Sequence, residues 1–215
     1  MSYGISLFIS VVCLALSWAW ISLPGLRLVS KYERRYSFQL RRSSLHLLIG
    51  VTAITMWMLL YNHTVIAATV SALIPLLVTA GAIDILAHRL PLILTTLSSL
   101  IVALGVFALA IDQSSFRVVG RSLGFGLLAF VIMLLIFVLR LGVGFGDVLI
   151  FPIMTALCAM GDASVVLWQL LFTGVFGGFH ALYATARKSQ RGTTVIAYGP
   201  SIIGGALAAL IVYAL

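Results

Sequence analysis

Two of the five acidic residues in this chain of 215 residues lie directly against long apolar segments. Asp84 follows the apolar run 65–83, and Asp147 precedes the apolar run 148–160. A carboxylate beside the apolar interior of a membrane is costly and usually functional, although a side chain at a helix end can also simply reach interfacial water. Two carboxylates held close together can share one proton, so that one activates water while the other protonates or polarises a carbonyl. We therefore interpret Asp84 and Asp147 as a candidate catalytic pair, in which the sequence does not assign the acid and the base.

The other acidic residues and the two cysteines have simpler structural interpretations. Glu33 lies within a basic loop, and Asp112 and Asp162 lie in short polar segments where aspartate serves turns and helix caps. Cys13 and Cys158 both lie inside apolar runs, which favours small buried side chains over a disulfide or a zinc site. We therefore expect neither a metal nor another cofactor.

The composition predicts that a membrane-embedded helical bundle positions the two carboxylates. Hydrophobic residues make up 62% of the chain and charged residues 8%, whereas soluble domains have roughly 45–50% and about 25%, respectively. We expect residues 1–215 to form one all-α, polytopic transmembrane domain. The count is seven or eight spans, because the sixth apolar run has only ~13 residues and a spanning helix needs about 20. This run is either a half-buried helix or continues back through the glycine-rich segment before it. The predicted spans are about residues 4–26, 45–61, 65–83, 91–111, 118–139, 148–160, 164–186 and 194–215.

The distribution of basic residues predicts the orientation of these spans. With eight spans and the amino terminus outside, 11 of the 13 basic residues fall in cytoplasmic loops, as the positive-inside rule requires. Only Arg117 and Arg121 fall outside. Both Asp84 and Asp147 then lie at the cytoplasmic face, and the net charge of +8 indicates topology and contact with membrane lipid rather than nucleic-acid binding. The cytoplasmic set is Arg27, Lys31, Arg34, Arg35, Arg41, Arg42, Arg89, Arg140, Arg187, Lys188 and Arg191.

Three sequence blocks resemble one family of intramembrane peptidases. The first, Gly144-Phe145-Gly146-Asp147, resembles the GxGD motif shared by type IV prepilin peptidases and by the presenilin and signal-peptide-peptidase group. The stretch from Asp84 to Leu90-Pro91 is similar to the first aspartate block of the prepilin peptidases. Presenilin-like enzymes carry Tyr-Asp there and a later Pro-Ala-Leu, whereas Ile83 precedes Asp84 and that tripeptide is absent here. Tyr198-Gly199-Pro200 resembles the family's later Gly-Pro, so the similarity covers about residues 65–215.

The resemblance implies an aspartic endopeptidase of a prokaryotic cytoplasmic (inner) membrane, with its active site facing the cytoplasm. Its partner would be a type IV prepilin or pseudopilin, cut after a short basic leader and before an apolar helix. Larger family members also have a tetracysteine zinc segment and methylate the new amino terminus. This chain has only two cysteines, so we expect peptidase activity without N-methyltransferase activity. Beyond the two aspartates, the resemblance assigns substrate-binding or supporting roles to Gly144, Gly146, Arg89, Pro91, Gly199 and Pro200.

Two other functions remain open at this point. A proton- or ion-coupled transporter would use the same carboxylates, since intramembrane carboxylates also mark ion pathways. Against it, the sequence lacks an inverted repeat, and both aspartates are predicted at a membrane boundary rather than at the midplane. A serine intramembrane peptidase would use Ser201 and His180, but the segment Gly199-Pro200-Ser201-Ile202 lacks the glycine after serine that favours an oxyanion turn. The identity of the prepilin and the oligomeric state do not follow from the sequence.

Overall fold

The apolar runs of the later part of the chain form helices. In a computed structural model, residues 62–87, 90–186 and 198–215 are described, together with residue 19 and residues 50–52. These residues contain no strand, and the fold is the all-α helical bundle that the composition predicts. Helices satisfy every backbone hydrogen bond internally, which a lipid environment demands. The helices of the three long ranges are α1 (Thr64–Ala87), α2 (Leu92–Asp112), α3 (Arg117–Val138), α4 (Phe145–Gly161), α5 (Ala163–Ala186) and α6 (Gly199–Ala214).

Four of these helices are long and apolar enough to cross a membrane by length and composition, namely α1, α2, α3 and α5. Helices α4 and α6 are apolar but have only 17 and 16 residues. At 1.5 Å per residue they are about 24–26 Å long, slightly less than the ~30 Å hydrocarbon core of a bilayer. The chain is an integral membrane protein. The first two predicted spans lie almost wholly outside the described residues, so the total of seven or eight spans stays a prediction.

The six helices run alternately up and down, and both ends of the bundle are marked by contacts. The rings of His63, just before α1, and Tyr213, near the end of α6, have centroids 4.7 Å apart. At the opposite end, Asp84 near the end of α1 meets Gly199 at the start of α6. Helices α1 and α6 are therefore antiparallel. We call this second end of the bundle the aspartate end, and it also contains the start of α4.

Helix α4 lies in the centre of the described bundle, where it contacts α2, α3, α5 and α6. Met154, Leu157 and Cys158 on α4 are fully buried. Helix α3 lies at the periphery, because only 17% of its apolar window is buried, compared with 83% for α1. The outward side chains of α3 are nevertheless leucine, isoleucine and phenylalanine, for example Leu127 and Leu135. An apolar exterior of this kind fits a lipid environment rather than water.

Arg121 binds the end of α4 that is farther from Asp84 and Asp147. The Nε of Arg121 on α3 donates to the carbonyl oxygen of Ala159 at 2.7 Å, and its Nη2 donates to those of Met160 at 3.0 Å and Gly161 at 2.8 Å. Its Nη1 also lies 3.2 Å from the Asp162 carboxylate. The last carbonyls of a helix have no partner within the helix and carry partial negative charge. Arg121 therefore caps α4 and joins it to α3.

The predicted spans agree with the helices, with corrections at their ends. The prediction for 65–83 was too short, because α1 continues through Asp84 to Ala87. The sixth predicted span, 148–160, continues back into the glycine-rich segment before it, because α4 begins at Phe145 and includes Gly146 and Asp147 in its first turn. Glycine lowers helix propensity and made this turn look like a loop, whereas an acidic residue in a first turn is favoured by the helix dipole. The last helix begins at Gly199 rather than 194, and residues 194–197 lie outside the described part.

Candidate active site

Asp84 lies in the last turn of α1, and its carboxylate is directed at the start of α6. The side chain is 5% exposed, and Oδ2 accepts a hydrogen bond from the backbone N–H of Gly199 at 3.0 Å. The first N–H groups of a helix have no partner within the helix and carry partial positive charge. The carboxylate therefore occupies the place of an N-terminal cap of α6, contributed by a residue 115 positions earlier in the chain.

The backbone of Gly199 approaches this carboxylate more closely than any other residue type would permit. A Cβ atom at position 199 would lie 2.7 Å from Oδ2 and 3.3 Å from Cγ of Asp84. Pro200 follows at a position near the helix start where proline is well tolerated. Its ring also lies beside Gly81 of α1, where an added Cβ atom would be 4.0 Å from Cγ of Pro200. The Gly-Pro pair thus brings the start of α6 against the last turns of α1.

Asp147 lies at the start of α4, with its side chain folded back on the residues before the helix. It is 7% exposed, and Oδ2 accepts a hydrogen bond from the backbone N–H of Gly144 at 3.1 Å. The backbone N–H of Asp147 donates in turn to the carbonyl oxygen of Gly144 at 3.0 Å. Two residues earlier, Gly142 has φ +83°, a left-handed conformation that glycine adopts without strain. The glycine-rich segment therefore turns the chain into α4 and fixes the Asp147 carboxylate at its first turn.

The segment before α2 packs directly on the GxGD segment. A Cβ atom at Gly146 would lie 2.8 Å from Cβ and 2.9 Å from Cδ1 of Leu90. Pro91 follows Leu90 and is the N-cap residue of α2, with an extended backbone at φ −63° and ψ 128°. Because Leu90 follows α1 by three residues, this contact ties the chain just after Asp84 to the turn that holds Asp147.

The two carboxylates therefore lie buried at the same end of the bundle, where α1 ends and α4 and α6 begin. Each carboxylate accepts one backbone N–H at the start of a different helix, Gly199 for α6 and Gly144 for α4. Two like charges in a buried site favour a state in which the pair holds one proton between its oxygens. This is the arrangement in which one carboxylate can activate water while the other donates a proton.

The geometry brings together most of the residues that the sequence singled out. Seven of these residues lie at the aspartate end of the bundle. They are Asp84, Pro91, Gly144, Gly146, Asp147, Gly199 and Pro200. Arg89 lies outside the described residues. Sequence reasoning did not assign two further contributors, Leu90 against Gly146 and Tyr198, whose ring covers Gly177 of α5 with Cε1 2.9 Å from the Cβ position. Both adjoin assigned residues, but their contacts are made across the bundle, which sequence adjacency does not reveal.

The alternative residues considered from the sequence do not form a comparable arrangement. Ser201 is buried on α6 and His180 is partly buried on α5, and no hydrogen bond joins them within the described residues. Asp162 pairs with Arg121 at the far end of the bundle, and Asp112 ends α2 in an exposed position. Over the ranges that the structure describes, no group of three or more His, Cys, Asp or Glu side chains is arranged to hold a metal ion.

Comparison with known proteins identifies no relative of this chain. No protein-family model, no curated protein and no solved structure matches the chain. The interpretation of the site therefore depends on its own residues.

Proposed function

We propose that this protein is an intramembrane aspartic endopeptidase that cleaves type IV prepilins or pseudopilins. The observation that carries the proposal is the presence of two buried carboxylates, Asp84 and Asp147, at one end of an apolar helical bundle. Other carboxylates within the described part lie at the opposite end. The pair's motifs resemble those of the prepilin peptidases, as set out above.

The proposed mechanism uses the pair as one acid–base unit. The aspartate without the proton removes a proton from water, which attacks the scissile carbonyl, while the other aspartate protonates or polarises the carbonyl oxygen. The proton then passes to the leaving amine, and the pair returns to its singly protonated state. The backbone N–H groups of Gly144 and Gly199 each hold one oxygen of a carboxylate in place.

The shape of the site supports a substrate with an apolar segment beside the cut. Asp147 lies in the first turn of one apolar helix and Asp84 in the last turn of another, so the scissile bond would lie at the membrane boundary with the apolar segment inside the bilayer. The backbone of Val143 makes no hydrogen bond to other backbone groups among the described residues, which supports a role in pairing with an extended substrate peptide. We propose that the aspartate end faces the cytoplasm of a prokaryotic cell across its cytoplasmic membrane, where the basic leader of a prepilin lies.

Conservative substitution of each aspartate tests the proposal. Asp84→Asn and Asp147→Asn should each abolish leader removal from a co-expressed prepilin, because an amide keeps the size and the acceptor oxygen but cannot share the proton. The double variant should be little worse than the single ones, as expected for residues that act as one unit. Cleavage is measured as a gel shift of the prepilin in membranes that lack other prepilin peptidases.

Asp112→Asn and Asp162→Asn are the matched controls, because both alter an aspartate at the far end of the bundle and should retain cleavage. Substantial cleavage by either Asp84→Asn or Asp147→Asn would rule out the dyad. If the protein is a proton- or ion-coupled transporter instead, the wild type leaves the prepilin uncut, and the Asp84 and Asp147 substitutions alter transport.

A further inference from the structure

Helix α5 carries neither aspartate, but it packs against α6, whose first residues hold the Asp84 carboxylate. The α5–α6 pair has the most extensive contacts within the described bundle. Farther along this pair, glycines of α6 receive side chains of α5, and an added Cβ atom at Gly204 would lie 3.3 Å from Cδ2 of Phe176. At the start of α6 the arrangement is reversed, because Gly177 of α5 receives the side chain of Tyr198.

The ring of Tyr198 occupies the space that a side chain at position 177 would need. An added Cβ atom at Gly177 would lie 2.9 Å from Cε1 and 3.3 Å from both Cζ and Oη of Tyr198, whereas ordinary contact begins at 3.4 Å. Gly177 is buried, and Tyr198 is partly buried against the main apolar core. The next residue of α5, Gly178, is exposed, and a Cβ atom there would meet nothing within 4 Å. The close approach is therefore specific to the face of α5 that meets Tyr198.

The backbone of Tyr198 links this contact to the Asp84 carboxylate. Tyr198 is the N-cap residue of α6, and its own side chain makes no cap hydrogen bond. Its carbonyl oxygen accepts the N–H groups of Ser201 at 3.0 Å and Ile202 at 3.1 Å, so a movement of Tyr198 moves the first turn of α6. The next residue, Gly199, donates its backbone N–H to Oδ2 of Asp84. Because adjacent Cα atoms are only about 3.8 Å apart, the position of this donor follows that of Tyr198.

From these observations we infer that Tyr198 is a positioning residue for the candidate active site. Its ring, packed against Gly177, fixes the start of α6 relative to α5 and thereby holds the Gly199 N–H where it binds the Asp84 carboxylate. The expected effect on cleavage rests on the proposed peptidase function, and the inference goes beyond that function by giving α5 a part in the site. The ring acts by its shape, because Cε1 and Cζ in this contact are ring carbons that phenylalanine also has.

Gly177→Ala tests the contact between the ring and α5, and Gly178→Ala, the same change one residue later, is its matched control. To move from 2.9 Å to ordinary contact at 3.4 Å, the ring must shift by roughly 0.5 Å. A misplacement of about 1 Å at a reacting group can lower a rate by about 10²-fold, so kcat for prepilin cleavage should fall by about tenfold with KM nearly unchanged. Gly178→Ala should cleave as the wild type does. Rates are measured in liposomes and expressed per amount of folded protein.

Substitutions of Tyr198 separate the role of the ring from a general structural role. Tyr198→Phe keeps the ring and should retain most of the cleavage, whereas Tyr198→Leu removes Cε1 and Cζ and should lose about as much as Gly177→Ala. In the Tyr198→Leu protein a further Gly177→Ala should cost little, because substitutions of residues in contact are not additive. Three results would overturn the assignment: losses that multiply in the double variant, a Tyr198→Phe protein as impaired as Tyr198→Leu, or a Gly178→Ala protein as impaired as Gly177→Ala.

The backbone amide of Gly199 gives a readout by nuclear magnetic resonance that does not depend on cleavage. In the full chain in detergent micelles, with isotopic nitrogen in its glycines, the Gly199 signal is identified by its loss in Gly199→Ala. Asp84→Ala removes the acceptor and shows which way the signal moves when the hydrogen bond is lost. Gly177→Ala should move the signal in the same direction, whereas Gly178→Ala should leave it in place. An unmoved signal in Gly177→Ala would overturn the positioning role. If the wild type cuts no prepilin, the peptidase proposal fails, and the Gly199 signal still decides whether the ring positions the donor to Asp84.

Discussion

The close approach of Gly199 to Asp84 makes Gly199→Ala the most informative single methyl substitution in the site. The new Cβ would lie 2.7 Å from Oδ2 of Asp84, whereas ordinary contact begins at 3.4 Å. The carboxylate or the start of α6 must therefore move by roughly 0.7 Å. That movement also lengthens the 3.0 Å hydrogen bond from the Gly199 N–H. A misplacement of about 1 Å at a reacting group can lower a rate by about 10²-fold, so we expect prepilin cleavage to fall by about 10- to 100-fold.

The substitution should affect cleavage much more than folding, because alanine is a better helix former than glycine by about 1 kcal/mol. Gly174→Ala is the control. It makes the same change in the lipid-facing helix α5, where a Cβ atom meets nothing within 4 Å. Cleavage in liposomes is compared with the thermal unfolding temperature of each purified variant in detergent. The reasoning fails if Gly199→Ala cleaves at the wild-type rate, or if its loss of cleavage is matched by a loss of folded protein.

Four further outcomes are expected. Arg121→Met should lower the unfolding free energy by about 3 kcal/mol, because it leaves three helix-end carbonyls without their charged donor. Asp162→Asn should lower the unfolding free energy by less than about 1 kcal/mol, since it weakens only a solvent-exposed ion pair. Equal losses of unfolding free energy for the two variants in denaturant titrations would contradict this expectation. A cysteine at Ser37 should be labelled only from the cytoplasm and one at Gln113 only from outside, and the reverse pattern of maleimide labelling would invert the orientation. EDTA should leave cleavage unchanged, since a carboxylate pair activates water without a metal, and a loss that zinc restores would require another mechanism.

The helices could be predicted from the sequence because a lipid environment leaves the backbone little choice. A long apolar run such as 118–139 must form hydrogen bonds within itself, so its length and polar flanks were enough to locate α3 within one residue at each end. The prediction was weakest at the start of α4, where glycines resemble a loop and only the hydrogen bonds of Gly144 and Asp147 define the first turn.

The pairing of Asp84 with Asp147 could be proposed from motif order, but the atoms that hold them could not. The donor to Asp84 is a backbone N–H 115 residues away, and no local pattern near Asp84 indicates which helix start will face it. Arg121 illustrates the same limit at the other end of the bundle. The sequence placed it only at the outer side of the membrane, whereas its guanidinium caps a helix 38 to 40 residues later in the chain. Long-range contacts of this kind depend on how helices are arranged around α4, which periodicity and composition do not encode.

The way in which the aspartates are held explains why glycines accompany them. Each carboxylate accepts a hydrogen bond from a backbone N–H at a helix start, Asp147 from Gly144 and Asp84 from Gly199. A backbone N–H fixes an oxygen without supplying a full charge, but it must come close, and a Cβ atom would obstruct that approach at Gly199 and crowd it at Gly144, where it would lie 3.3 Å from Oδ2 of Asp147. Glycine at these two positions therefore lets a backbone N–H at a helix start hold each carboxylate.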